Sequence, residues 1–158
     1  FAAQKGHVAT LAVVLGAPGV DPNAGHTSTG GTPLQAACAH DKPEAVRVLL
    51  QHGADHNRAE KDGFTPCMLA IGNGDDESHV DTLRVLCAGG PGGTFTSVNV
   101  VGTSGLAKGK TALDLTEDRL QDDDGEFDEA AAESGIWELF LFLRDEGALT
   151  AAQISRSD

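Results

Sequence analysis

The sequence predicts an all-α repeat solenoid, about four helix-turn-helix units joined by β-hairpin connections. Three observations carry this reading. Thr32-Pro33-Leu34-Gln35-Ala36-Ala37 returns 33 residues later as Thr65-Pro66-Cys67-Met68-Leu69-Ala70, and a fixed period of this size marks stacked supersecondary units. Ala45, Val46, Leu49 and Leu50 follow the first copy with the spacing of one helix face. Of the 158 residues 40% are hydrophobic but only 4% aromatic, with no Tyr, so the core is made of Ala, Val and Leu, which suit closely packed helices.

The first unit, about 1–26, opens inside a helix. Phe1-Ala2-Ala3-Gln4-Lys5-Gly6-His7 corresponds to the middle of the repeat, followed by Leu11, Val13, Val14 and Leu15 and then Asp21-Pro22-Asn23, so this copy is truncated and lacks its hairpin half. In the second unit, about 27–59, Thr32 is a helix N-cap and Pro33 stands at the first helical position, where its missing N–H costs nothing. Small Ala36, Ala37 and Cys38 permit close approach, and Gly53 supplies the left-handed stop after the second helix. Thr65 and Pro66 repeat the cap in the third unit, about 60–105. Thr65 to Leu86 spans 21 residues against 18 from Thr32 to Leu50, which places three extra residues around Asp75-Asp76-Glu77. Ten further residues enlarge the following hairpin within Pro91 to Lys108; Phe95-Thr96-Ser97-Val98-Asn99-Val100-Val101, rich in β-branched residues and bounded by glycines, predicts a projecting finger there.

Gly109-Lys110-Thr111-Ala112-Leu113-Asp114-Leu115 opens the fourth unit, about 106–149, with Ala112 in place of the proline. An acidic insertion from Glu117 to Glu133, nine carboxylates beside one Arg, separates it from the apolar segment Ile136 to Leu143. That segment has more than one hydrophobic face. Either the insertion or the tail, 150–158, folds over it, or a partner or a following domain does.

Taken together, TPLQAA, the apolar stripe and Gly53-Ala54-Asp55-His56-Asn57 resemble the ankyrin repeat, and the resemblance spans most of 1–149. The histidine that the family carries after TPL is Gln35, Met68 and Asp114 here, so a bond to the capping threonine hydroxyl is available at two units and unavailable at Met68. The resemblance implies that partners dock on hairpin tips and inner helices. Carried over, that wall holds Gln4, Lys5, Ser28, Thr29, His40, Lys61, Asp62, Phe64, Asn73, Lys108, Lys110 and Arg119. Five of the eleven basic residues fall in this set although the chain is acidic. Phe95 in the finger and Trp137 in the apolar segment complete the expected partner-binding residues.

A formal charge of −13 and a pI near 4.6 weigh against nucleic-acid binding, which needs a basic face. No apolar run reaches the roughly 20 residues of a membrane-spanning helix, so no membrane insertion is expected. Cys38, Cys67 and Cys87 have no CxxC spacing and read as thiols in the cytoplasm or another reducing intracellular compartment. Gly105-Leu106-Ala107-Lys108-Gly109-Lys110-Thr111 is one residue short of a phosphate-binding loop, since glycine would have to stand at Ser104. Asp122-Asp123-Asp124-Gly125 fails as a calcium loop because Leu120 and Ala131 occupy its first and last ligand positions. The six histidines lack an oriented partner, and no catalytic residue, metal or cofactor is expected. The function expected is a non-catalytic protein-protein interaction module, a scaffold or docked subunit in a hetero-complex or larger chain, with a basic patch on the partner facing the acidic insertion. The alternative is a regulatory ankyrin segment of a longer enzyme or ion channel whose active part lies elsewhere.

Overall fold

Three of the inner helices start where a threonine, Thr32, Thr65 or Thr111, closes the first turn; the first follows Phe1 and has no such cap. In the computed structural model, which describes residues 1–72, 79–89, 99–102, 104–121, 135–145, 147–148 and 150–156, the inner helices are α1 (Ala2–Lys5), α3 (Pro33–Ala39), α5 (Pro66–Gly72) and α7 (Ala112–Arg119). The outer ones are α2 (Val8–Leu15), α4 (Pro43–Gln51), α6 (Val80–Ala88) and α8 (Gly135–Asp145), and a short α9 (Ala151–Ile154) follows. At α3 the Gln35 N–H donates to Thr32 Oγ1 at 3.3 Å while the Thr32 N–H donates to Gln35 Oε1 at 2.7 Å, a reciprocal capping box. Asp114 does the same for Thr111, and its carboxylate also takes the threonine hydroxyl at 2.7 Å. At α5 the Met68 N–H reaches Thr65 Oγ1 at 3.3 Å, and a thioether, a weak acceptor, is a poor substitute for the amide or carboxylate oxygen of the other two boxes.

The helices form two layers. Inner helices pack α1 on α3 on α5 on α7, and outer helices pack α2 on α4 on α6 on α8. The seam between layers buries Leu34, Leu49, Met68, Ile71, Leu83 and Leu86 completely or nearly so. Each such side chain contributes about 1.5–3 kcal/mol when fully removed from water. Gly53 and Gly147, at φ +82° and +79°, end α4 and α8 alike, and the next N–H, of Ala54 or Ala148, returns to Leu49 or Leu143 at 3.0 and 2.9 Å.

Burial along α2 is uneven. Leu11 is buried, but Val14, in the register of the fully buried Leu49, is 47% exposed; α2 packs on α1 and α4, whereas α4 packs on α2, α3 and α6. The connections also carry less sheet than a hairpin suggests. His26 N–H bonds Gly31 O at 2.8 Å and Glu60 N–H bonds Phe64 O at 3.1 Å, and Gly102 and Lys108 form an isolated bridge. The tips at 26–31 and 60–64 are each one turn long, too short for a ladder, and described tips bond to one another instead. Lys61 N–H donates to Thr29 O and Ala107 N–H to Asp62 O, each at 3.2 Å. A Cβ at Gly63 would lie 2.3 Å from the Ser104 carbonyl oxygen, so that glycine is fixed by the contact between the tips.

Within the expected finger, residues 95–98 lie outside the described residues. Its described end does not project: Val100 and Val101 are half-buried and the Asn99 amide donates to Gly147 O at 3.4 Å. The three extra residues near Asp75 and the acidic stretch 122–133 also lie outside them. The apolar segment becomes α8, which buries Leu139 and Leu143 and leaves Leu141 exposed. Arginines close part of its surplus. Arg84 lies over the Phe142 ring at 6.0 Å and Arg144 over Phe140 at 5.5 Å.

Candidate interaction groove

The inner helices carry alanine where they meet the hairpin tips, and a missing side chain leaves space. Ala2 and Ala3 on α1 and Ala36 and Ala39 on α3 floor a concave groove of about 920 Å³. His26, Thr29, Asp62 and Phe64 wall it from the tips. Local bonds set these walls. Glu60 Oε1 accepts the N–H groups of Asp62 and Phe64 at 2.9 and 3.2 Å, folding one tip. Buried Gln35 sends its Nε2 to the carbonyls of Arg58 and Phe64 at 2.8 and 3.1 Å, tying the α3 unit to the next hairpin. His40 donates from Nδ1 to Ala36 O at 3.0 Å and accepts at Nε2 from Gln4 at 2.9 Å, which clasps α1 to the end of α3.

Five expected partner-binding residues meet here: Gln4, Thr29, His40, Asp62 and Phe64 line the groove. Ser28 stands behind Thr29 with its hydroxyl 2.8 Å from His26 Nδ1. The basic residues do not join them. Lys61 donates its ammonium to the carbonyls of Thr27 and Ser28, Lys110 pairs with Asp118, and the Arg119 guanidinium donates to Ile71 O at the end of α5. Lys5 and Lys108 are exposed away from the lining. Trp137 belongs to the outer layer, stacked on Phe140 at 5.3 Å. Asn73 and Phe95 lie outside the described residues. Sequence reasoning missed Glu60, whose signal is an acid four residues before the aromatic of the tip, and His26, which no repeat position marks.

Reactive chemistry is weakly represented. Burial pushes the Cys38 and Cys67 thiols well up, with Asp41 adding to the effect at Cys38 and the neighbouring cysteines at Cys67. Among the described residues no group of His, Cys, Asp and Glu is placed to hold a metal, and no helix is long and apolar enough to cross a membrane.

Stacked helix pairs whose tips overhang a groove define a repeat solenoid with a concave face. The family model for ankyrin repeats (3 copies) matches residues 1–99, and the chain belongs to the ankyrin-repeat family. It is 41% identical over 69 residues to the 2-5A-dependent ribonuclease of Mus musculus, a match covering 44% of this chain and 9% of that protein. It is 30% identical over 95 residues to protein phosphatase 1 regulatory subunit 12A of Mus musculus, and equally to that of Rattus norvegicus, covering 60% of this chain and 8% of theirs. The chain thus spans less than a tenth of the length of these relatives. Ankyrin repeats are generally protein-interaction modules, and they occur within enzymes as well as regulatory subunits.

Proposed function

We propose that this chain is a non-catalytic protein-interaction module that takes a segment of a partner protein into the groove between α1, α3 and the hairpin tips, as a docked subunit or scaffold of a larger assembly. The observation that carries the reading is the groove itself, an open concavity of about 920 Å³ whose walls are fixed by side-chain bonds to neighbouring backbone. Preorganised walls lose little entropy on binding. Units at about 1–26, 27–59, 60–105 and 106–149 supply the frame. Free, largely buried cysteines fit a reducing intracellular compartment.

A second reading makes the chain the regulatory segment of a longer enzyme. It is favoured by relatives named as a ribonuclease and as a phosphatase regulatory subunit, of which the match covers under a tenth. The two readings share the groove and differ in what is joined to it.

The test fills the groove. Ala39→Trp places a ring on its floor, and Glu44→Lys on the outer helix α4 serves as a distal control. Each immobilised chain is used for affinity capture from cell extract with quantitative mass spectrometry, after circular dichroism confirms folding. A set of proteins lost by Ala39→Trp and kept by Glu44→Lys is the expected result. Identical capture by all three chains would overturn the reading.

A further inference from the structure

We propose that the groove accepts a basic peptide segment, with arginine or lysine side chains flanking an apolar residue. This rests on the interaction reading above and specifies its partner. Glu60 and Asp62 are the carboxylates of the lining, and among the described residues no lysine or arginine lines it. Lys61, between the two in sequence, is engaged with the Thr27 and Ser28 carbonyls. Asp62 is exposed, and its backbone rather than its carboxylate makes the contacts within the fold. Both nitrogens of His40 are engaged within the fold, and Gln35 turns both its amide groups to backbone. At the rim stand Thr29, whose hydroxyl accepts the Gly31 N–H at 3.1 Å, and His26, whose Nδ1 lies 2.8 Å from the Ser28 hydroxyl.

An anionic ligand would therefore meet two carboxylates without a compensating cation. A guanidinium or ammonium meets acceptors at Asp62, at Glu60 and at the Gln4 carbonyl oxygen. Phe1, Pro33, Phe64 and Leu69 supply apolar surface beside them, suited to the methylene stems of long basic side chains and to one apolar residue. The overall charge of −13 draws such a segment toward the chain before it docks.

Fluorescein-labelled peptides test this by anisotropy on the whole chain: one with arginines flanking a leucine, and its counterpart with glutamates. The arginine peptide is expected to bind and to weaken with added salt. Asp62→Lys should weaken it by about tenfold and Asp62→Asn by a smaller factor, while Glu44→Lys, an equal charge change on the outer helix, leaves it within about twofold. Equal losses from Asp62→Lys and Glu44→Lys, or binding of the glutamate peptide as tight as that of the arginine peptide, would overturn the proposal. If neither peptide binds while Ala39→Trp still loses captured proteins, the basic-segment proposal fails and the interaction reading stands. If neither peptide binds and capture is also unchanged, both fail.

Discussion

Asp41 stands in the turn between α3 and α4 with φ +48°, among the described residues a left-handed conformation otherwise taken by glycine. A Cβ is strained there, and the strain is offset by the Thr82 hydroxyl, fully buried on α6, which donates to Asp41 Oδ1 at 2.6 Å. Asp41→Ala keeps the strain and loses the acceptor, and should cost about 1–3 kcal/mol in urea unfolding. Asp41→Gly removes the strain while losing the same bond, and should cost less than Asp41→Ala. The order of the two variants is the check. Glu117 offers a second one. Burial raises its carboxyl above the ordinary range, Asp114 and Asp118 add to the rise, and Arg144 opposes it. The folded chain holds this proton more tightly than the unfolded chain, so ionisation penalises the fold as pH climbs through the raised value. Glu117→Gln should raise the urea midpoint at pH 7 and leave it unchanged at a pH low enough to protonate Glu117 in both states. The capping boxes at Thr32 and Thr111 were legible because their partners stand three residues on, whereas nothing local links Asp41 to Thr82, 41 residues away.

At the scale of elements, the helical period identifies which face of α4 is apolar, and burial then depends on what stacks against it. Leu49 has helices of both neighbouring units around it and is fully buried; Val14 occupies the same register of α2 and is not. Leu49→Ala should therefore cost about 2–5 kcal/mol as a cavity mutation. Val14→Ala should cost less than about 1 kcal/mol, because a half-exposed side chain loses little transfer energy. Similar costs for both in chemical denaturation would contradict the stacking assigned here. The same dependence on neighbours decided the fate of the basic residues. Repeat register placed Lys61, Lys110 and Arg119 on the wall, but their charges end on a tip carbonyl, a carboxylate of α7 and the end of α5. Spacing encodes where a side chain leaves the backbone and carries no record of the acceptor it finds.

Across the whole molecule, helices contact mainly the units before and after their own, so stability is close to a sum of units and seams. That makes it uneven along the chain. Repeat register put Gln4, Thr29, His40, Asp62 and Phe64 on one wall, but the sign of the groove was not legible, because no lysine lines it and Glu60 and Asp62 do. The first unit contributes Ala3 and Leu11 to the core, with Val13 77% exposed, while the second contributes Leu34, Ala37, Cys38, Val46 and Leu49. Opening α1 and α2 breaks one seam, whereas opening α4 breaks two and exposes completely buried leucine and valine. Local opening at lower free energy should then appear in hydrogen exchange. The amide of Leu11, bonded to His7 O at 2.9 Å, is expected to exchange well before that of Val46, bonded to Lys42 O at 3.0 Å in the equivalent turn of α4. Because the two bonds match in length and position within their helices, a difference in protection reports the seams. Equal protection would mean that the units unfold as one cooperative block.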